Sequence, residues 1–134
     1  MKYLLDTDHL SVLQRQTGKG YSNLSTQMAH HPLSDFAVSI VTFHEQMLGC
    51  HLNDVVKGYE MMARLVNDFK VLPILPFDAG AATTFEQLKS KRIQLAKMDA
   101  RIAAIALSRG LILLTRNHRD FGKVAGLAIE DWTI

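Results

Sequence analysis

Apolar residues in this chain fall in short runs separated by longer amphipathic stretches. The first run, Leu4-Leu5 behind Lys2-Tyr3, ends in Asp6-Thr7-Asp8 and predicts a buried strand followed by a turn. Thr7 or Asp8 stands where a cap would open a helix through His9-Leu10-Ser11-Val12-Leu13. Thr17-Gly18-Lys19-Gly20 punctuates the chain, and a weaker helix is expected over 21–30, ended by His31-Pro32. Phe36-Ala37-Val38-Ser39-Ile40 is a second strand-like run, after which Thr42-Phe43-His44-Glu45 opens a helix toward Cys50. A longer helix over 53–68 carries Val55, Val56, Tyr59, Met62, Leu65, Val66 and Phe69 on one side. Val71-Leu72-Pro73-Ile74 reads as a short strand whose proline places it at an edge or a strand end. Asp78 caps a helix to about residue 93. Asp99 stands at the start of the next helix, over 100–108, which Gly110 closes. Leu111-Ile112-Leu113-Leu114-Thr115 is the strongest strand pattern, and Leu127-Ala128-Ile129 predicts a last strand before Trp132.

Strands alternating with helices imply parallel pairing through crossovers, hence an α/β sandwich. At 134 residues, with no linker and no repeat, a single domain over 1–134 is expected. The lone cysteine, Cys50, excludes a disulfide framework and points to a reducing compartment. The opening residues do not read as a signal peptide, and no apolar run approaches a membrane span. A cytoplasmic protein with no membrane association is the expectation. The net charge of +2 is a mild basic bias. Gathering several acids in one site would leave the remaining surface more positive still, which suits a polyanionic partner.

In open parallel sheets, sites form beyond the carboxyl ends of the strands. Asp6 follows the first strand directly, Glu45 lies early in the helix after the second, and Thr115 to Asp120 follow the Leu111-Leu114 strand. Asp99 opens a helix feeding another strand, so the rule places it there less directly. Each acid also has a local structural reading. Asp8 and Asp99 suit N-caps, Glu45 has the capping-box spacing from Thr42, and Asp120 sits on a polar turn. The shared rim is what argues for chemistry. Clustered carboxylates repel unless cations lie among them, and oxygen donors suit Mg²⁺ or Mn²⁺. Such a site can activate water and neutralise charge on a phosphoryl group. Neither a Gly-x-Ser-x-Gly elbow nor a phosphate-binding Walker loop is present, and the histidines lack zinc-type spacing.

Four segments in order, Leu4-Leu5-Asp6-Thr7-Asp8-His9-Leu10, Val38-Ser39-Ile40-Val41-Thr42-Phe43-His44-Glu45, Met98-Asp99-Ala100-Arg101-Ile102-Ala103-Ala104 and Leu113-Leu114-Thr115-Arg116-Asn117-His118-Arg119-Asp120-Phe121, resemble the PIN-domain family. The likeness is greatest to the VapC-type toxin nucleases of VapBC toxin–antitoxin pairs, and Gly126 to Trp132 is similar to the family's ending. The resemblance implies a three-layer α/β/α sandwich on a mainly parallel sheet. It implies an endoribonuclease using Mg²⁺ or Mn²⁺ held by Asp6, Glu45, Asp99 and Asp120, with Thr7 and Thr115 supporting the site. Asn117 matches a position that is acidic in some relatives, which leaves the number of metals open. Lys97 stands where many relatives have a small residue. The resemblance further implies a cognate antitoxin partner and a homodimer. Lys2, Arg116, Arg119 and Lys123 are candidates for gripping an RNA backbone.

Two other readings remain open. Asp6-x-Asp8 after a buried strand is also similar to the start of haloacid-dehalogenase-type phosphatases, where an aspartate is the nucleophile. Leu10 stands where that pattern has Thr or Val. The other is a non-catalytic PIN-like binding module, against which the four intact acids argue.

Overall fold

The computed structural model describes residues 1–49, 59–60, 63–64, 66–67 and 70–134. Among them, five parallel strands form one sheet: β1 (Tyr3–Leu5), β2 (Phe36–Ser39), β3 (Ile74–Leu75), β4 (Ile112–Leu114) and β5 (Ile129–Glu130). Their spatial order is β3-β2-β1-β4-β5. Tyr3, Leu4 and Leu5 pair with Phe36, Ala37 and Val38 on one side and with Ile112, Leu113 and Leu114 on the other. The chain builds outward from β1 to β3, then returns to β1's other flank at β4. The topological switch point therefore lies between β1 and β4, where a crevice opens at the strands' carboxyl ends.

Helices cover both faces, which is why β1 is buried along its whole length. Leu4, Ala37, Leu75 and Leu113 face one layer, built from α4 (Ala79–Ser90) and α5 (Lys97–Ser108). Tyr3, Leu5, Phe36, Val38 and Leu114 face the other, where α1 (Thr7–Arg15) and α2 (Gly18–Met28) contribute Leu10, Val12 and Leu24. The expected three-layer α/β/α sandwich is what forms. Trp132 closes the second layer, with its ring 4.7 Å from Tyr3 and stacked 5.4 Å from His31. The strand expected over 71–74 is Ile74–Leu75, so Pro73 stands just before β3, an outermost strand, and Asp78 caps α4 through a bond from the Ala81 amide.

Several predicted boundaries move, each for a local reason. The second helix begins at Gly18 rather than residue 21, so the glycine-rich segment is helical, and Gly20 packs closely against Arg116 and Thr133. The helix after β2, α3 (Ile40–Gly49), starts at Ile40 rather than Thr42 because Ser39 Oγ accepts the Thr42 amide at 3.0 Å. That cap removes the capping-box reading of Glu45. The last strand, expected over 127–129, is Ile129–Glu130. Of the helix expected over 53–68, residues 59–60, 63–64 and 66–67 are helical, and Tyr59 and Val66 are exposed. The rest of its proposed apolar face, with Cys50, lies outside the described residues. Among the described residues no helix is long and apolar enough to cross a membrane.

Candidate active site

Asp6 sits one residue beyond β1 and is the N-cap of α1, a role the sequence suggested for Thr7 or Asp8. Its Oδ1 accepts the Thr7 amide at 2.8 Å. Its Oδ2 accepts from the Thr115 hydroxyl, just beyond β4, at 2.7 Å. The Asp6 amide donates to Leu114 O at 2.9 Å, so backbone and side chain both bridge the switch point. Asp6 is 7% exposed. Burial, with Asp8 and then Asp99 as like-charged neighbours, raises its pKa to about 6, although the Thr115 and Thr7 bonds pull the other way.

Asp99 lies in the first turn of α5, which begins at Lys97 with Ala96 as N-cap. The expected N-cap role of Asp99 is thus not the one it fills; it is free to face the rim. Burial, followed by Asp120 and Asp8, raises its pKa as well. Asp120 occupies the short helix α6 (His118–Phe121), whose N-cap is Asn117. Asn117 accepts the Asp120 amide through Oδ1 and donates from Nδ2 to Asp120 Oδ2 at 3.1 Å. That bond, ahead of Lys123 and Arg119, lowers the Asp120 pKa. Glu45 is reached from α1, with the Thr7 hydroxyl 3.0 Å from its Oε2 and 3.3 Å from Thr42 Oγ1.

Asp6, Asp99 and Asp120 therefore form one electrostatic group at the carboxyl ends of β1 and β4, and Glu45 is linked to it through Thr7. Thr7, Thr115 and Asn117 each donate a hydrogen bond to one of these acids. Thr115 donates to Asp6 and accepts the Asn117 amide at 3.0 Å. The two arginines differ. Arg119 is almost fully exposed beside Asp120, whereas Arg116 directs its Nε to Thr133 Oγ1 at 2.9 Å.

Asp8, which the sequence suits to a helix cap, takes a different place. It is in the first turn of α1 but caps nothing. Its Oδ2 accepts the Arg116 amide at 3.0 Å, and its Oδ1 lies 2.7 Å from His9 Nδ1. The pKa of Asp8 is lowered: burial works against the charge, but the His9 and Arg116 bonds outweigh it. The Asp-x-Asp spacing after a buried strand was the available signal, because it sets the second acid on the same turn.

The PIN domain family model matches residues 3–127. The tRNA(fMet)-specific endonuclease VapC of Shigella flexneri is 32% identical over 100 residues, covering 72% of this chain and 74% of that protein. Ribonuclease VapC2 of Haemophilus influenzae is 29% identical over 138 residues, 98% of each. Among solved structures, DNA-bound VapBC from Salmonella typhimurium aligns with a TM-score of 0.85 at 26% identity over 98% of both chains. FitAcB from Neisseria gonorrhoeae aligns with a TM-score of 0.81 at 27% identity over 96% of both. With the family model matching residues 3–127 and a VapC relative 32% identical over 72% of the chain, the chain belongs to the PIN-domain family, in its VapC branch.

Proposed function

We propose that this protein is an endoribonuclease of the VapC type, hydrolysing RNA phosphodiesters at the rim formed by Asp6, Glu45, Asp99 and Asp120. The observation that carries this reading is that Asp6 and Asp99, on the same rim, both have raised pKa values, from burial first and neighbouring carboxylates after it. Such a group is relieved by a hard divalent cation. Among the described residues no three acidic, histidine or cysteine side chains close into a ligand set. Mg²⁺ takes one or two carboxylates and keeps several waters, so the oxygen donors of Asp6 and Asp99 suit it or Mn²⁺. Asp6 and Asp99 would hold the ion, with Glu45 and Asp120 flanking it. When bound, the cation supplies Lewis acidity toward the phosphoryl oxygens and lowers the pKa of water.

The chain's own side chains prepare this site. The Thr115 hydroxyl and Thr7 amide aim the two Asp6 oxygens. The Thr7 hydroxyl orients Glu45, and Asn117 with Lys123 keeps Asp120 ionised. Arg119, exposed at the rim, is placed to meet an RNA phosphate; Arg116 is committed to Thr133 and is the weaker candidate.

The names of the relatives support the substrate class and suggest an antitoxin partner, as in the VapBC complexes. The same family membership disfavours an aspartyl-phosphate phosphatase and a non-catalytic module. Purified protein in Mg²⁺ should cut end-labelled RNA oligonucleotides, and Asp6→Asn should slow that by at least about 100-fold while the fold persists. Wild-type cleavage by Asp6→Asn, or turnover of p-nitrophenyl phosphate with a covalent Asp6 phosphate, would overturn the reading. Co-purification with the product of a neighbouring small reading frame tests the antitoxin.

A further inference from the structure

His9 is fully buried on α1, yet both ring nitrogens are engaged. Its Nε2 lies 3.1 Å from the backbone nitrogen of Trp132. A backbone N–H can only donate, so Nε2 is the acceptor and the ring proton sits on Nδ1. Nδ1–H then donates to Asp8 Oδ1 at 2.7 Å. The other Asp8 oxygen holds the Arg116 amide at 3.0 Å. Arg116 opens the short turn that carries Asn117 and Asp120, and its side chain is pinned from the opposite side by Thr133.

Satisfying the Trp132 amide requires one imidazole nitrogen. The second is spent on Asp8, a carboxylate close enough to Asp6 and Asp99 to raise both. Keeping a charged group there costs stability unless hydrogen bonds hold it. Asp8 is not needed as a cap, because Asp6 caps α1. What the Asp8 bonds accomplish is to join the first turn of α1 to the backbone of the turn after β4.

We propose that His9 is a positioning residue: acting through Asp8, it fixes the Arg116 amide and so places the Asn117–Asp120 turn against Asp6. His9 touches no substrate. Its contribution rests on the nuclease reading only insofar as the placed turn serves RNA cleavage.

Two conservative variants separate the two nitrogens. In His9→Asn the side-chain amide nitrogen overlays Nδ1 and keeps the donor to Asp8. In His9→Gln the terminal group overlays Nε2, keeping an acceptor for Trp132 and losing that donor. His9→Gln should lower kcat for an RNA oligonucleotide about tenfold or more with KM unchanged, and His9→Asn should restore most of it. By NMR, the Arg116 amide should exchange faster in His9→Gln, while the Leu113 amide, bonded to Ala128 O within the sheet, stays as protected as in wild type. Equal kcat in the Asn and Gln variants, or wild-type protection of Arg116 in His9→Gln, overturns the proposal. If a His9 variant does not fold, Asp8→Ala, at a half-buried position, tests the link on which the proposal depends: wild-type protection of the Arg116 amide there overturns it. If the wild type cleaves no RNA, the nuclease reading falls and Arg116 exchange still decides the positioning role.

Discussion

The hydroxyl of Thr115 donates to Asp6 Oδ2 at 2.7 Å across the gap between β1 and β4, the two strands at which the chain reverses its direction of sheet building. Thr115 is fully buried and also accepts the Asn117 amide at 3.0 Å. One hydroxyl thus ties the acid at the end of the first strand to the turn that presents Asp120.

Removing that hydroxyl without changing the side chain's shape isolates its effect. Thr115→Val leaves the Asn117 amide unpaired and strips a donor from Asp6, which should cost roughly 1–3 kcal/mol in urea unfolding. The Asp6 pKa should rise further above about 6, because the lost bond is one that lowers it. Thr115→Ser keeps the hydroxyl and should retain most of the stability. Equal stability of the Val variant and wild type would show that the bond contributes nothing.

Asp6 gives folding a defined pH dependence in the absence of divalent ions. Below about pH 4 its carboxyl is protonated whether the chain is folded or not. From there to about pH 6 the unfolded chain releases the proton while the folded chain retains it, so stability falls as pH rises. The loss attributable to this group is complete above about pH 6 and amounts to roughly 3 kcal/mol. Asp6→Asn should lack this component. The difference in unfolding free energy between variant and wild type should therefore grow in the variant's favour across that window. A difference that is flat with pH would contradict the raised pKa.

Much of this arrangement is legible in the sequence. Strands buried on both faces leave apolar runs at Leu4-Leu5 and Leu111-Leu114, and the rule for strand ends then places Asp6 and Thr115. What local pattern misassigns is the capping. Any Asp, Ser or Thr near a helix start satisfies the same template, so Asp8 and Asp99 suit caps as well as Asp6 does. Which one caps depends on the backbone dihedral at the strand end, and Asp6 is the residue that stays extended there. Glu45 likewise suits a capping box until Ser39 takes the Thr42 amide. The sequence beside His9 shows Asp8 but not its other partner, Trp132, which lies 123 residues away and meets it only in the fold.

Divalent cations should reverse the penalty on Asp6. At a Mn²⁺ concentration about 100 times Kd, the native state should gain about 2.7 kcal/mol over the EDTA-treated protein. Asp6→Asn and Asp99→Asn should each lose most of that gain, a readout independent of RNA. Unfolding curves that coincide with and without Mn²⁺ would remove the cation from the proposed mechanism.

Gly122 couples backbone space to the position of Asp120. A Cβ built there would lie 2.5 Å from His118 O, the acceptor of the Gly122 amide at the end of α6. The conflict is with backbone, so no side chain can turn aside to relieve it. Gly122→Ala should force the α6 turn to open, costing about 1–3 kcal/mol in urea unfolding. Because Asp120 lies two residues earlier in that turn, its bond to Asn117 Nδ2 should weaken, and its pKa should move up toward the ordinary carboxylate range. RNA cleavage should fall more steeply than stability alone accounts for. NMR titration of the Asp120 carboxyl in folded Gly122→Ala checks the link: a carboxyl that titrates as in wild type would mean that the turn absorbs the methyl group without disturbing the acid.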